Sequence, residues 1–177
     1  CGRIVKIRQR GARRRSPLPP FGLVYPSAQR YNSRVKTYEL FDHTADLGLE
    51  IYGRTKKELF ANAALALFDM MIQDARPPTK RGGRERVKTR TVQGADVADL
   101  LVNFLRELLY WFNGLGWVLN RGSILMCGNK KLVAQCVVEP YNPKRHMVKT
   151  EIKAVTYHGL SVQKIKSGWK ARVIFDV

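Results

Sequence analysis

The stretch Leu47–Met71, LGLEIYGRTKKELFANAALALFDMM, decides how the chain is read. Its first part alternates, with Leu47, Leu49 and Ile51 on one face, which is the period-two pattern of a half-buried strand. Gly53 ends the alternation. Thr55-Lys56-Lys57-Glu58 then has the spacing of a capping box, in which a hydroxyl and a carboxylate each satisfy a backbone N–H that the first helical turn leaves unbonded. Beyond it Leu59, Phe60, Ala63, Ala64, Leu67 and Met71 recur at three- and four-residue steps. A helix with one apolar face is expected, running to about Gln73, with Pro77 and Pro78 forbidding continuation.

The same logic extends toward the C-terminus. RERVKTRTV (84–92) reads as a polar strand at a sheet edge, and Gly94 breaks it. Asp96 is a good N-cap, and Asp99 suits the positive end of a second helix. That helix turns Val97, Leu100, Leu101, Phe104, Leu105, Leu108 and Phe112 inward, and Gly114 suits its C′ position. The last third is strand-rich: GWVLN, SILMCG, KLVAQCVVEP, EIKAVTY, LSVQKI and WKARVIFDV, with GNKK and KSG as hairpin signals. No sequence repeat is convincing, although a strand–helix–strand order could recur. The fold class is α+β, two helices packed on a largely antiparallel sheet or open barrel.

The chain has 177 residues, enough for one domain with a sizeable core, and 45% of them are hydrophobic. No apolar run approaches the roughly 20 residues of a membrane span. The net charge of +18 invites a nucleic-acid reading, but its distribution weakens it. Residues 1–36 hold ten Lys/Arg and no acid, and residues 76–90 hold seven against Glu85 alone, so the remainder is nearly neutral. The first segment reads as a basic disordered tail, the second as a basic loop, and 37–177 as the folded domain. Contact with RNA through these segments would be nonspecific. Cys1, Cys127 and Cys136 are odd in number and form no C-x-x-C, so neither a disulfide framework nor a zinc knuckle is expected. A reducing compartment, cytoplasm or nucleus, fits. The Arg-rich, acid-free opening also has the composition of a transit peptide.

There is no Gly-rich phosphate loop and no G-x-S-x-G, and His43, His146 and His158 share no zinc spacing. What remains is acidic. Asp42 and Asp46 bracket His43-Thr44-Ala45 at the mouth of the first strand, and Asp176 adjoins Val177 with its α-carboxylate. If the last strand lies beside the first, three carboxylates converge, an oxygen set suited to Mg²⁺ or Ca²⁺. Against this, Asp46 could simply cap a turn and Asp176 be an exposed end. Lys153 reads either as a solvated strand residue or as a charge beside the acids. His43 and His158 read as structural imidazoles, in loops whose similar character suggests they meet at one end of the sheet.

HTADLGLEIYG followed by LFANAALALFDMM, and TEIKAVTYHGLSV followed by GWKARVIFDV, flanking LLVNFLRELLYWF, resemble the archease family over about residues 37–177. The resemblance implies a small accessory protein, not itself an enzyme, that activates an RtcB-type tRNA-splicing RNA ligase. That ligase uses GTP to join a phosphate-bearing RNA end to a 5′-hydroxyl end. The activator would promote guanylylation and repeated turnover. Carried over, the implied metal ligands are Asp46, Asp176 and Val177, with Asp42, His43 and Thr44 supporting them and Lys153 and His158 beside them or at the ligase contact. This chain departs from the family's pattern at Arg106 and Asn113, where Asn and Asp are more frequent, and in its basic tail. Two other readings compete. One is an RNA- or protein-binding chaperone module that uses the basic segments. The other is a metal-dependent phosphoesterase, which would need more acids than the sequence offers.

Overall fold

The computed structural model describes residues 37–43, 46–74 and 85–177. The tail at 1–36 and the 75–84 part of the basic segment lie outside the described residues, as do Thr44 and Ala45. The fold is α+β, with two helices packed on antiparallel sheets and no closed barrel among the described residues.

The strand read from Leu47 is the centre of the larger sheet. It spans Asp46–Gly53 (β2) and is preceded by a strand that the alternation did not reveal, Tyr38–His43 (β1). β1 pairs antiparallel with β2 from Tyr38 opposite Ile51 to His43 opposite Asp46. Asp42 and Asp46 therefore belong to the two arms of a hairpin rather than to a segment ahead of the first strand. The last strand, Gly168–Asp176, takes the other edge of β2, from Trp169 opposite Gly53 to Phe175 opposite Leu47. Leu49, Ile51, Ala171, Val173 and Phe175 share its inner face, all at 0% exposure.

Helix α1, Lys56–Met71, lies on that face. Thr55 caps it, its hydroxyl accepting the Glu58 N–H at 3.1 Å, while the Glu58 carboxylate reaches one residue further back than in a standard box, to the Arg54 N–H at 3.2 Å. α1 is buried on more than the single face its spacing suggests: Ala61, Asn62, Ala66, Phe68 and Met70 are also buried, because it is packed against strands of both sheets and against the second helix. The helix stops at Met71, short of Gln73, because Ile72–Asp74 turn extended (β3) and pair with His146–Val148.

The second sheet has the order Arg86–Gln93 (β4), Lys131–Pro140 (β6), Trp117–Cys127 (β5), with β4 at an edge. β4 thus takes up the Arg86–Arg90 part of the basic segment. GWVLN and SILMCG are one strand with two register shifts rather than two strands. Helix α2, Val97–Asn113, starts at its Asp96 cap and buries Leu100, Leu101, Phe104, Leu105 and Leu108. Phe104 meets Phe60 of α1 with ring centroids 5.9 Å apart. Burying each such side chain contributes about 1.5–3 kcal/mol. Gly114 ends α2 in a right-handed conformation, and the left-handed residue is Gly116, at φ 62°.

Three short strands complete the chain: His146–Val148 (β7), Ala154–Val155 (β8) and Ser161–Ile165 (β9). EIKAVTY was expected as a full strand, yet only Ala154–Val155 pair with β10, the Gly168–Asp176 strand. The side chains of α2 claim the backbone there: Asn113 donates to the Ile152 carbonyl at 3.0 Å and Arg106 to that of Val155 at 3.1 Å.

Candidate functional site

The antiparallel register of β2 and β10 puts the start of one beside the end of the other. Phe175 faces Leu47, and the next residues in register are Asp176 and Asp46. On the other side of β10, Asp176 faces Ala154 of β8. Lys153 is fixed at this end twice: its N–H donates to the Asp176 carbonyl at 2.8 Å, and its ammonium to the Val177 oxygen at 3.0 Å. Asp176 and Val177 are exposed and Asp46 is half-buried. His43 faces Asp46 across the hairpin, and Asp42 stands one pair further along. His158 sits elsewhere on the sheet, in the turn between β8 and β9, where Thr156 bonds Ile174 and Ser161 faces Arg172. Among the described residues, this end of the sheet gathers the oxygens of Asp46, Asp176 and Val177, with the Lys153 ammonium against Val177. That donor set fits a hard cation and offers nothing to a soft one.

A second acidic group was not found from the sequence. Asp74 of β3, Glu139 of β6 and His146 of β7 each offer a ligand atom, all within 4.8 Å of one another, a spacing that could hold a metal ion. Glu139 is 2% and His146 1% exposed. The Arg145 guanidinium already occupies this group, 2.6 Å from Glu139 Oε2, 3.9 Å from Asp74 Oδ1 and 2.9 Å from His146 Nε2. His146 Nδ1 accepts the Asn142 N–H at 3.1 Å, and Arg145 Nε donates to Nε2 at 3.3 Å, so both ring nitrogens face donors. A cation would have to displace Arg145. The three residues lie far apart in the chain with no shared motif. The only sequence signal was a glutamate ending the apolar run KLVAQCVVEP.

The cysteines behave as core residues. Cys136 is 2% exposed and burial pushes its thiol up to about 12, and Cys127 is half-buried. Burial raises the Cys127 thiol as well, against the pull of Lys56 and Lys57.

The archease protein family model matches residues 38–177, and the chain belongs to that family. It is 37% identical over 150 residues to the protein archease of Methanosarcina barkeri, covering 82% of this chain and 99% of that one. It is 33% identical over 147 residues to the protein archease of Pyrococcus abyssi, covering 81% and 100%. The solution structure of Methanobacterium thermoautotrophicum protein 1598 superposes with a TM-score of 0.59 at 29% identity, over 81% of this chain and all of that one.

Proposed function

We propose that this chain is an accessory protein that activates an RtcB-type tRNA-splicing ligase, promoting its GTP-dependent guanylylation and multiple turnover. The observation that carries the reading is archease-family membership over nearly the whole described chain, with Asp46 and Asp176 brought to one exposed end of the sheet. In this reading Asp46, Asp176 and a Val177 oxygen hold Ca²⁺ or Mg²⁺. Such an ion would supply positive charge that draws ligase and nucleotide oxygens to this end. The chain's own part is positional. β2 and β10, packed on α1, hold the acids rigidly. Lys153 neutralises the Val177 oxygen until an ion takes its place, and Asp42 and His43 lie on the hairpin arm that pairs with Asp46. His158 would touch the ligase further along the same sheet. RNA and GTP belong to the ligase, and this chain meets them through it. The decisive experiment supplies a partner ligase, GTP and cleaved tRNA with and without this protein. Guanylylation and repeated turnover should rise when it is present, and an unchanged rate would refute the proposal.

A second reading, direct RNA contact, draws on β4. Among the described residues Arg86 and Lys88 have no carboxylate partner, and they lie 5.0 Å and 5.6 Å over the Trp117 ring. Strongly salt-dependent RNA binding lost in an Arg86→Gln/Lys88→Gln variant would support it.

A further inference from the structure

Two strand-to-helix junctions of this chain are built alike, and their one difference marks a site. β2 leaves through Gly53 into α1, capped by Thr55, and β4 leaves through Gly94 into α2, capped by Asp96. At each, the acid three residues past the cap gives its N–H to the cap oxygen, and its carboxylate takes the N–H of the residue before the cap. Glu58 bonds Thr55 and Arg54, while Asp99 bonds Asp96 and Ala95. At each, an asparagine one turn on returns its amide to the end of the strand: Asn62 to the Tyr52 carbonyl at 2.7 Å, Asn103 to that of Gln93 at 3.1 Å. Both glycines are required by close approach, since a Cβ on Gly53 would lie 2.3 Å from Leu59 N and one on Gly94 2.5 Å from Leu100 N.

At α2 the junction is closed. The Asn103 amide also donates to Asp99, at 3.2 Å, and the Tyr157 hydroxyl donates to the same carboxylate at 2.5 Å. At α1 the Glu58 carboxylate takes the Arg54 Nε–H at 3.1 Å, and Glu58 and Asn62, the counterparts of Asp99 and Asn103, line an open groove of about 410 Å³, together with Glu39, Tyr52, Arg54 and Trp169. Asn62 is 3% exposed, and its single bond to Tyr52 leaves a carbonyl oxygen and one amide hydrogen without a partner among the described residues. A buried amide left half-bonded is costly unless something completes it.

The geometry points to a binding site for an adenine nucleotide in this groove, free or as one unit of an RNA strand. The volume falls in the range of small-molecule pockets, about 300–1,000 Å³. A free amide N–H and carbonyl are the pair that matches the N7 acceptor and N6 donor of adenine. The Trp169 indole supplies a stacking surface. The Glu39 carboxylate is suited to ribose hydroxyls. The Arg54 guanidinium, 74% exposed and paired with Glu58 through Nε, stands with the N-terminus of a 16-residue helix at the rim, where its terminal nitrogens would meet a phosphate. The site lies at the Gly53 end of β2, the opposite end from Asp46, and does not rest on the ligase reading.

The test is a titration of ¹⁵N-labelled protein with AMP, adenosine, GMP, CMP and a short oligoadenylate, reading the Trp169 indole N–H and the Asn62 side-chain amide. AMP should shift both signals and saturate at millimolar concentration, with GMP and CMP about tenfold weaker or more. Trp169→Leu should weaken AMP and adenosine alike by about tenfold. Arg54→Gln should weaken AMP severalfold and leave adenosine unchanged. Both variants keep the buried amide in place, so neither depends on replacing Asn62. Oligoadenylate binding tighter than AMP assigns the site to an RNA strand, and equal binding assigns it to the free nucleotide. Absence of shifts with every probe, equal response to GMP and CMP, or equal loss of AMP and adenosine in Arg54→Gln overturns the inference.

Discussion

The chain holds two acidic groups that could each be taken for a metal site, and they solve the problem of like charge in opposite ways. At the end of the large sheet, Asp46, Asp176 and the Val177 oxygen are half-buried or exposed, and Lys153 is the cation placed against them. Between β3, β6 and β7, Glu139 and His146 are almost wholly buried and Asp74 partly so, and the Arg145 guanidinium reaches all three. Carboxylates in water tolerate one another at small cost, whereas buried ones demand a counter-charge at the moment of folding. The first group can therefore wait for an ion, while the second needs its arginine to exist. Proximity of ligand types marks the second group, and charge compensation is what separates it from the first.

The largest effect should follow from breaking the buried group. Glu139→Ala leaves Arg145 facing Asp74 alone beneath the β3–β7 pair, and should cost about 3 kcal/mol or more in urea unfolding. Asp176→Asn should change stability by less than about 0.5 kcal/mol, as exposed substitutions do, and Asp46→Asn, half-buried, by no more than about 1 kcal/mol. The same two variants should abolish Ca²⁺ or Mg²⁺ binding and ligase activation. If Asp46→Asn is as destabilising as Glu139→Ala, or activates as well as wild type, the distinction between the two groups fails.

Exchanging the compensating cations sharpens it. Arg145→Ala should destabilise the fold by about 2–4 kcal/mol, and added Mn²⁺ or Zn²⁺ should restore part of the loss by filling the vacated position. Lys153→Ala should do the reverse: little change in stability, with cation affinity at the sheet end rising about threefold or more as a competing charge leaves. Isothermal titration of both variants reads this directly. A cation-insensitive Arg145→Ala, or weaker cation binding by Lys153→Ala, would reverse the roles.

Much of the frame could be read from local pattern. The Thr55 and Asp96 caps, the helix cores and the edge position of β4 all follow from spacing, because capping and amphipathicity act within a few residues. β1 was missed because its inward and outward residues do not alternate in polarity: Leu40 is 60% exposed and Phe41 packs on the outer face beneath Arg172. β8 was overread because Arg106 and Asn113, distant in sequence, take its carbonyls. At the sheet end, Asp46 and Asp176 were legible as residues, but their adjacency depends on β10 choosing β2, which no short window contains. The Asp74–Glu139–His146 group is wholly a product of that kind of long-range pairing.

The smallest effect concerns an exposed pair on the same sheet, and it tests whether exposure alone weakens charge pairing in this fold. On the outer face, the Lys170 ammonium lies 2.8 Å from Glu50 and the Tyr52 hydroxyl donates to the same carboxylate at 2.9 Å. The hydrogen bond from Lys170, then that from Tyr52, hold the Glu50 carboxyl below its ordinary value, and Glu50 in turn raises Lys170. A carboxylate depressed in the folded state contributes stability above its unfolded pKa and loses it as pH falls through the folded one. The raised lysine contributes below its own unfolded pKa and loses that stability in strong alkali. The pair should therefore act across the neutral range and fade below about pH 4. Solvent screening limits it to about 0.5 kcal/mol. Lys170→Ala should lower stability by about that amount at pH 7 and converge with wild type in acid. A difference that persists unchanged at low pH would mean that Lys170 acts by packing its stem over Tyr52, whose ring centroid lies 5.6 Å from the ammonium, and not by charge.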